Sequence, residues 1–167
     1  MEIIHCDVEH LRALLEDQRR LGRRLEAAIA EGLVDPEFEE AFRFSLNELL
    51  RQPELFGFST TLFVLEDPRT LCGLGGFKGP PDAEGVIEIG YSIAPGLRGR
   101  GLATEAAGEL ARIAFADPRV RVVIAHTLAQ RNASTRVLEK NGFHFVRELV
   151  DPKEHPDPIW RWERQRR

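Results

Sequence analysis

The chain has 167 residues, of which 43% are hydrophobic and 30% charged, and its formal net charge is −4. This length is typical of one domain, and the negative charge gives no broad attraction to nucleic acid. No apolar run approaches the roughly 20 residues that span a bilayer, and the N-terminus turns acidic too early for a secretory signal, so we expect a cytoplasmic protein without membrane or nucleic-acid partners.

Residues 1–57 have the spacing of two helices. Asp7 is a good N-cap for the first helix, and Gly22 is a candidate interruption of it. Asp35 followed by Pro36 is a typical helix start, and Pro53 ends the second helix. We expect these helices to form the wall of a substrate site.

The remainder of the chain alternates between strand-like and helical segments. Residues 59–66 and 70–78 are predicted to form a hairpin, and the last four residues a solvated basic tail. Further strands are predicted at 86–94, 121–128, 143–150 and 159–163, with helices after Gly101 and at 132–141. This order predicts an α+β fold or three-layer α/β sandwich, in which helices cover both faces of a mixed sheet. We expect one domain over residues 1–167, with residues 58–150 as its sheet and core, and residues 151–167 as a loop, a strand and the tail.

Two cysteines, Cys6 and Cys72, lack the Cys-x-x-Cys spacing of a zinc site or a redox pair. The two could pair, but we interpret them as thiols of a reducing compartment. No metal is expected.

The most informative segment is EIGYSIAPGLRGRGLATEA at residues 88–106. A predicted strand enters a loop, and a helical pattern follows it. Glycines let the loop turn its amides toward an anion, and the positive end of the following helix attracts phosphate. The loop has neither the P-loop nor the Gly-x-Gly-x-x-Gly pattern. We predict a pyrophosphate site formed by Arg98, Gly99, Arg100, Gly101, Leu102, Ala103 and Thr104.

The pattern Arg98-x-x-Gly101-x-Ala103 resembles the Gln/Arg-x-x-Gly-x-Gly/Ala signature of the GNAT superfamily of acetyl-CoA-dependent N-acetyltransferases. The run NASTRVLEKNGF at residues 132–143 resembles the branch typified by Rim-type acetyltransferases of ribosomal-protein N-termini. The resemblance covers residues 86–150. It implies a mostly antiparallel GNAT-like sheet whose two central strands splay apart, with acetyl-CoA as the acetyl donor between them.

The resemblance also implies which residues contact the pantetheine arm. Tyr91, Ser92 and Ile93 of the first core strand would face it through their backbone. Asn132 would contact the arm or the phosphates, but it stands one residue later than the Asn of Rim-type relatives. Asn132 is also well suited to cap the helix that follows, and the two roles are compatible.

Transfer of an acetyl group to an amine requires that the ammonium lose a proton. Glu88 matches a Glu-Ile-x-Phe/Tyr pattern in which several superfamily members carry the general base. His126 ends the next predicted strand, where Rim-type relatives can carry a catalytic Glu, and imidazoles titrate near neutrality. Either residue is a candidate base. The alternatives are a surface carboxylate for Glu88 and a packed core histidine for His126.

Many GNAT enzymes also carry a Tyr four residues before the Gly of the final helix, where it protonates the thiolate. Leu138 holds that place here, and Tyr91 is the only tyrosine. Ser134 is the nearest substitute because it matches the Ser of the Rim-type motif. Its alternative role is a capping hydroxyl, and water is the other candidate proton donor.

These patterns predict an N-acetyltransferase that moves an acetyl group from acetyl-CoA to a primary amine, on a protein N-terminus or a small molecule. Direct attack in a ternary complex is expected, because no cysteine lies at a matching position for an acyl-enzyme. The alternative is a catalytically weak CoA-binding sensor or interaction domain of the same fold. We expect a monomer or a homodimer.

Overall fold

A mixed, mostly antiparallel sheet forms the centre of the computed structural model, which describes residues 1–151 and 155–166. The strands are β1 (Glu2–His5), β2 (Ala28–Ile29), β3 (Thr60–Glu66), β4 (Arg69–Phe77), β5 (Val86–Ile93), β6 (Val122–Leu128), β7 (His144–Asp151) and β8 (His155–Gln165). The helices are α1 (Val8–Glu16), α2 (Gln18–Leu25), α3 (Glu39–Arg51), α4 (Leu102–Ala116) and α5 (Ala133–Lys140). The strand order is β1-β3-β4-β5-β6-β8-β7, and β2 pairs with the beginning of β4.

The central strands β5 and β6 separate soon after they begin. They are parallel, and they pair only from Val86 opposite Val122 to Glu88 opposite Ile124. Beyond that point β5 continues along β4, and β6 continues along β8. Each therefore has an edge that no strand of the described chain occupies. This confirms the predicted splay between the two central strands.

Helices cover both faces of the sheet, as predicted. Helices α4 and α5 pack on one face around a cluster that includes Ile87, Ile89 and Leu138. Helices α1, α2 and α3 cover the other face, where Leu62 and Leu74 belong to a second cluster. Because side chains alternate along a strand, β5 directs Glu88, Gly90 and Ser92 toward the side covered by α1, α2 and α3.

The helix boundaries follow the capping residues. Asp7 caps α1 as predicted, since its carboxylate accepts a hydrogen bond of 2.8 Å from the amide of His10. The predicted interruption at Gly22 is wrong, because the break lies at Asp17. The Asp17 carboxylate accepts from the amide of Arg19 and so starts α2. A short 3-10 turn, Pro36–Phe38, precedes α3, so the α-helix begins three residues after the predicted start at Pro36.

The two ends of the chain form more sheet than expected. Strand β1 was not predicted, and it pairs with β3 at the edge of the sheet. Strand β8 extends to Gln165, so the predicted tail is wrong in that Arg164 and Gln165 belong to a strand, whereas Gln165 and Arg166 are exposed as predicted. The guanidinium groups of Arg164 and Arg166 each lie 5.6 Å from the ring centroid of Phe115. Arg167 and part of the predicted loop, residues 152–154, lie outside the described residues.

Cys6 and Cys72 are buried free thiols, and burial raises the pKa of both. Within residues 1–151 and 155–166, no helix has the length and apolar character needed to cross a membrane.

Candidate active site

The loop between β5 and α4 presents a row of unpaired backbone amides. Gly99 and Gly101 have φ values of +78° and +82°, which residues with a side chain rarely adopt. A Cβ atom on either glycine would meet nothing within 4 Å. The five successive N–H groups of residues 99–103 have no acceptor in the described part of the chain. Together with the positive end of α4, they are hydrogen-bond donors of the kind that bind phosphate oxygens.

Two side chains hold this loop in place. The Nε atom of Arg98 donates to the carbonyl of Ile93 over 3.0 Å, which fixes the loop to the end of β5. Asn141, which the sequence analysis did not single out, donates from Nδ2 to the carbonyl of Thr104 over 3.0 Å. Arg100 is exposed at the rim of the loop. Leu102, Ala103 and Thr104 form the first turn of α4.

The three residues predicted to face the pantetheine arm direct their backbone N–H and C=O groups to different edges of β5. The Ser92 carbonyl lies 2.8 Å from a Cβ position built on Gly73 of β4, so its backbone faces β4 rather than the splay. The expected backbone contact of Ser92 is therefore not supported, because alternate residues of a strand direct their N–H and C=O groups to opposite edges. The backbone N–H and C=O groups of Tyr91 and Ile93 point to the opposite edge of β5, which faces the splay. The Ile93 carbonyl already accepts a hydrogen bond from Arg98, so the backbone groups of Tyr91 are more available to a ligand than those of Ile93.

The two candidate bases contact each other at the point where the strands separate. His126 Nδ1 lies 2.9 Å from Glu88 Oε1, and each side chain is 19% exposed. The ammonium of Lys78 pairs with the same carboxylate oxygen. Burial alone would raise the pKa of Glu88, but hydrogen bonds from His126 and Lys78 outweigh it and hold that pKa below its ordinary value. The structure thus joins both candidates, and it adds Lys78.

The protonation of this pair follows from the carboxylate. An ionised carboxylate only accepts hydrogen bonds, so the proton in the Glu88–His126 contact lies on Nδ1. The other ring nitrogen, Nε2, is buried and has no hydrogen-bond partner among the described residues. An unsatisfied buried polar group costs about 1–3 kcal/mol, and such groups occur at catalytic sites.

The depressed pKa of Glu88 makes the stability of the protein dependent on pH. A carboxylate whose pKa is lower in the folded than in the unfolded chain stabilises the fold above the unfolded value of 4.5, and this contribution is lost as the pH falls through the folded pKa. We expect Glu88→Gln to lower the free energy of unfolding at about pH 7, and we expect this deficit to shrink as the pH falls below 4.5. Urea unfolding at several pH values measures this difference. The exposed Glu84→Gln is the control, and a Glu88→Gln deficit that did not shrink in acid would contradict the prediction.

A cavity of about 770 Å³ lies between α3 and the strands β4 and β5. Neither Glu88 nor His126 lines it, but Lys78, which pairs with Glu88, does. Lys78, Gly90 and Ser92 line it. A Cβ atom on Gly90 would meet nothing within 4 Å, so the strand leaves open space next to Glu88. The volume lies in the range of small-molecule sites.

The start of α5 is capped by residues other than Ser134. Asn132 Oδ1 accepts from the amide of Thr135 over 3.0 Å, and Thr135 Oγ1 accepts from the amide of Asn132 over 3.1 Å. Asn132 is therefore an N-cap, and the capping hydroxyl belongs to Thr135, so that alternative for Ser134 is wrong. The hydroxyl of Tyr91 donates to the Ser134 carbonyl over 3.4 Å, and burial raises the Tyr91 pKa, which keeps the phenol protonated. Leu138 is completely buried.

These positions limit what a proton donor on α5 can contribute. We expect Ser134→Ala to raise the catalytic barrier by only about 1–2 kcal/mol, comparable to one hydrogen bond to a charged group. Leu138→Tyr should not accelerate turnover, because a phenol in the closed core would overpack it at a cost of about 1–3 kcal/mol. Steady-state rates and thermal unfolding test both variants. A Ser134→Ala enzyme slowed about a thousandfold would identify an essential acid instead.

Comparison with known proteins identifies the family of this chain. A family model described as an acetyltransferase (GNAT) domain matches residues 5–144.

The chain belongs to the GNAT acetyltransferase family.

It is 32% identical over 107 residues to an uncharacterized N-acetyltransferase, YjdG, of Bacillus subtilis, and the match spans 64% of this chain and 64% of that relative.

Solved GNAT structures share the fold at lower identity. A ribosomal-protein-alanine N-acetyltransferase from Brucella melitensis is 22% identical with a TM-score of 0.64, and the match covers 99% of both chains. A spermidine N-acetyltransferase from Vibrio cholerae is 15% identical with a TM-score of 0.69, over 99% of this chain and 95% of that one. The acetyltransferase yncA from Salmonella typhimurium, solved with acetyl-CoA, is 18% identical with a TM-score of 0.65, over 98% of this chain and 92% of that one. These likenesses show the fold.

Proposed function

We propose that the protein transfers an acetyl group from acetyl-CoA to a primary amine by direct attack within a ternary complex. The splay between β5 and β6 is the observation that carries this proposal. The Glu88–His126 pair lies where the splay begins, and β5 leads from there into the unpaired amides of residues 99–103. An extended ligand with a pyrophosphate at one end suits this arrangement.

Several groups are suited to hold acetyl-CoA. The amides of residues 99–103 would receive the pyrophosphate, with Arg98 and Arg100 adding positive charge at the loop. The backbone of Tyr91 would bond to the pantetheine amides in the manner of an added strand. Asn132 keeps its Nδ2 group for such a contact, since its Oδ1 caps α5. When bound, acetyl-CoA supplies an activated thioester.

The Glu88–His126 pair would take the proton of the acceptor. Glu88 holds the imidazole with Nδ1 protonated, and Nε2 is then the basic atom. In the transfer, the C–N bond between the acetyl carbon and the amine forms, and the C–S bond of the thioester breaks. One proton of the amine passes to the Glu88–His126 pair, and the CoA thiolate gains a proton from water or Ser134. The positive end of α5, where Ser134 lies, stabilises negative charge on sulfur without donating a proton.

Thiol release from acetyl-CoA tests this function. The acceptor panel should contain N-terminal peptides, polyamines, aminoglycosides and amino acids. We expect release that depends on at least one amine. The alternative, a catalytically weak CoA-binding domain of the same fold, is favoured by the buried Leu138 in place of the usual phenol. It predicts acetyl-CoA binding with no amine-dependent release.

The finer expectations belong to the same proposal. The Rim-type branch is supported by the motif at residues 132–143 and by the likeness to the Brucella melitensis structure, which is one GNAT neighbour among several. The proposal includes a cytoplasmic monomer or homodimer of one domain, without a metal. The net charge of −4 supports the absence of a nucleic-acid partner, and the lack of a long apolar run supports the absence of a membrane partner.

A further inference from the structure

The cavity beside Glu88 has a wall of aromatic rings. Helix α3 contributes Phe42 and Phe44, Phe38 lies just before it, and Phe58 lines the cavity from the turn before β3. Phe44 is 67% exposed although it lines the cavity. Aromatic side chains provide large apolar contact areas that water solvates poorly. An occupant with an apolar body therefore suits this wall.

The charged groups of the lining are unfavourable to a negatively charged occupant. Glu40 and Glu48 of α3 line the cavity. Lys78 is the only cationic residue among the described lining residues, and its ammonium is paired with Glu88. A carboxylate on the acceptor would meet Glu40 and Glu48, of which Glu48 lies 3.8 Å from the guanidinium of Arg51, and it would meet no unpaired cation among the described lining residues. Desolvation of such a carboxylate costs more free energy than these contacts return.

One polar atom of the cavity is left unsatisfied. Ser59 lines the cavity, and its Oγ is buried without a hydrogen-bond partner among the described residues. Buried hydroxyls are ordinarily hydrogen-bonded, but this oxygen has no accessible surface, so it offers no hydrogen bond to a carboxylate in the cavity.

We propose, on the basis of the acetyltransferase function above, that the acceptor is a primary amine on a large apolar body with no carboxylate beside the amine. The apolar body lies against the phenylalanines, and the amine reaches the Glu88–His126 pair past Lys78 and Gly90, which line the cavity next to Glu88. This chemistry is shared by arylalkylamines and by peptide N-termini whose first side chain is large and apolar. Free amino acids and polyamines lack it.

Matched acceptors separate these classes. Phenylalanine and phenylalanine amide differ only in the carboxylate, and phenethylamine lacks the carbonyl group altogether. We expect kcat/KM for phenylalanine amide and phenethylamine to exceed that for phenylalanine and spermidine by about tenfold or more, equivalent to about 1.4 kcal/mol. A peptide beginning with Phe, compared with one beginning with Gly, identifies the peptide source. Equal or better turnover of phenylalanine or spermidine would overturn the proposal.

A cavity variant and a matched control test the location. Phe44→Ser should raise KM for phenethylamine and weaken its binding by about five- to tenfold, with little change in kcat. Phe56→Ser is the control, since Phe56 is 53% exposed and is not among the cavity residues. An equal effect of both variants, or no effect of Phe44→Ser, would contradict the proposal.

Calorimetry of phenethylamine and phenylalanine with the CoA-saturated protein gives a readout that does not depend on turnover. Tighter binding of phenethylamine, weakened in Phe44→Ser, supports the acceptor class even where transfer is slow. No preference for phenethylamine would overturn it. Failure of the enzymatic function is distinct, because it would show as acetyl-CoA that binds without transfer to any amine.

Discussion

Replacement of Gly101 by Val is expected to abolish acetyl-CoA binding while the fold persists. Gly101 ends the loop with a φ of +82°, and a Cβ atom there would point into open space. In our account that space receives the pyrophosphate, so a branched side chain would fill it and redirect the amides of residues 99–103. We expect the dissociation constant for acetyl-CoA, measured by calorimetry, to rise about 100-fold or more.

The control for Gly101→Val is a Gly→Val substitution at another glycine with a positive φ, outside the loop between β5 and α4. Gly57 has a φ of +90°, and a Cβ atom there would also meet nothing within 4 Å, but it lies in the turn before β3. Gly57→Val should lose a similar amount of stability, because a β-branched residue at positive φ costs about 1–3 kcal/mol. It should bind acetyl-CoA as the wild type does. An affinity of Gly101→Val within about threefold of wild type would exclude the loop from the phosphate site.

Removal of either member of the Glu88–His126 pair is expected to lower turnover by about 10²–10⁴-fold. Acetyl-CoA affinity should change little. Because the two side chains share one hydrogen bond, the double variant should cost about as much as the more damaging single variant rather than the sum.

Kinetics of the single and double alanine variants test this coupling. His144→Ala is a control, since His144 is an exposed histidine on β7. If both single variants kept wild-type turnover, the amine would enter already neutral and neither residue would be the base. If the two effects added fully, Glu88 and His126 would act independently, in conflict with the contact between them.

Much of the fold could be predicted because residues with known local preferences mark the ends of helices and strands. Asp7, Pro36 and Pro53 have fixed meanings at helix ends, and alternating apolar residues indicate the strands. The predictions of secondary structure are wrong where contacts with residues distant in sequence determine the structure. Strand β1 is short and forms against β3, and Arg164 and Arg166 are ordered by β6 and Phe115. No local pattern encodes those contacts.

The candidate site was predicted unevenly for the same reason. The glycine loop is local, so its positive φ values and its position before α4 follow from the sequence. Glu88 and His126 were separate candidates, because their contact depends on how β5 and β6 align across 38 positions. Lys78 was missed, since only the β4–β5 pairing brings it to Glu88. Asn141 could have been considered, because an Asn near a helix end commonly bonds to backbone.

The most direct test of the account is a joint measurement of thiol release and amine acetylation, with acetyl-CoA and phenylalanine amide. We predict that the two products form in equal amounts and that omission of the amine abolishes thiol release. Thiol release at the same rate without the amine, or acetyl-CoA binding without acetylation of any amine in the panel, would contradict the account.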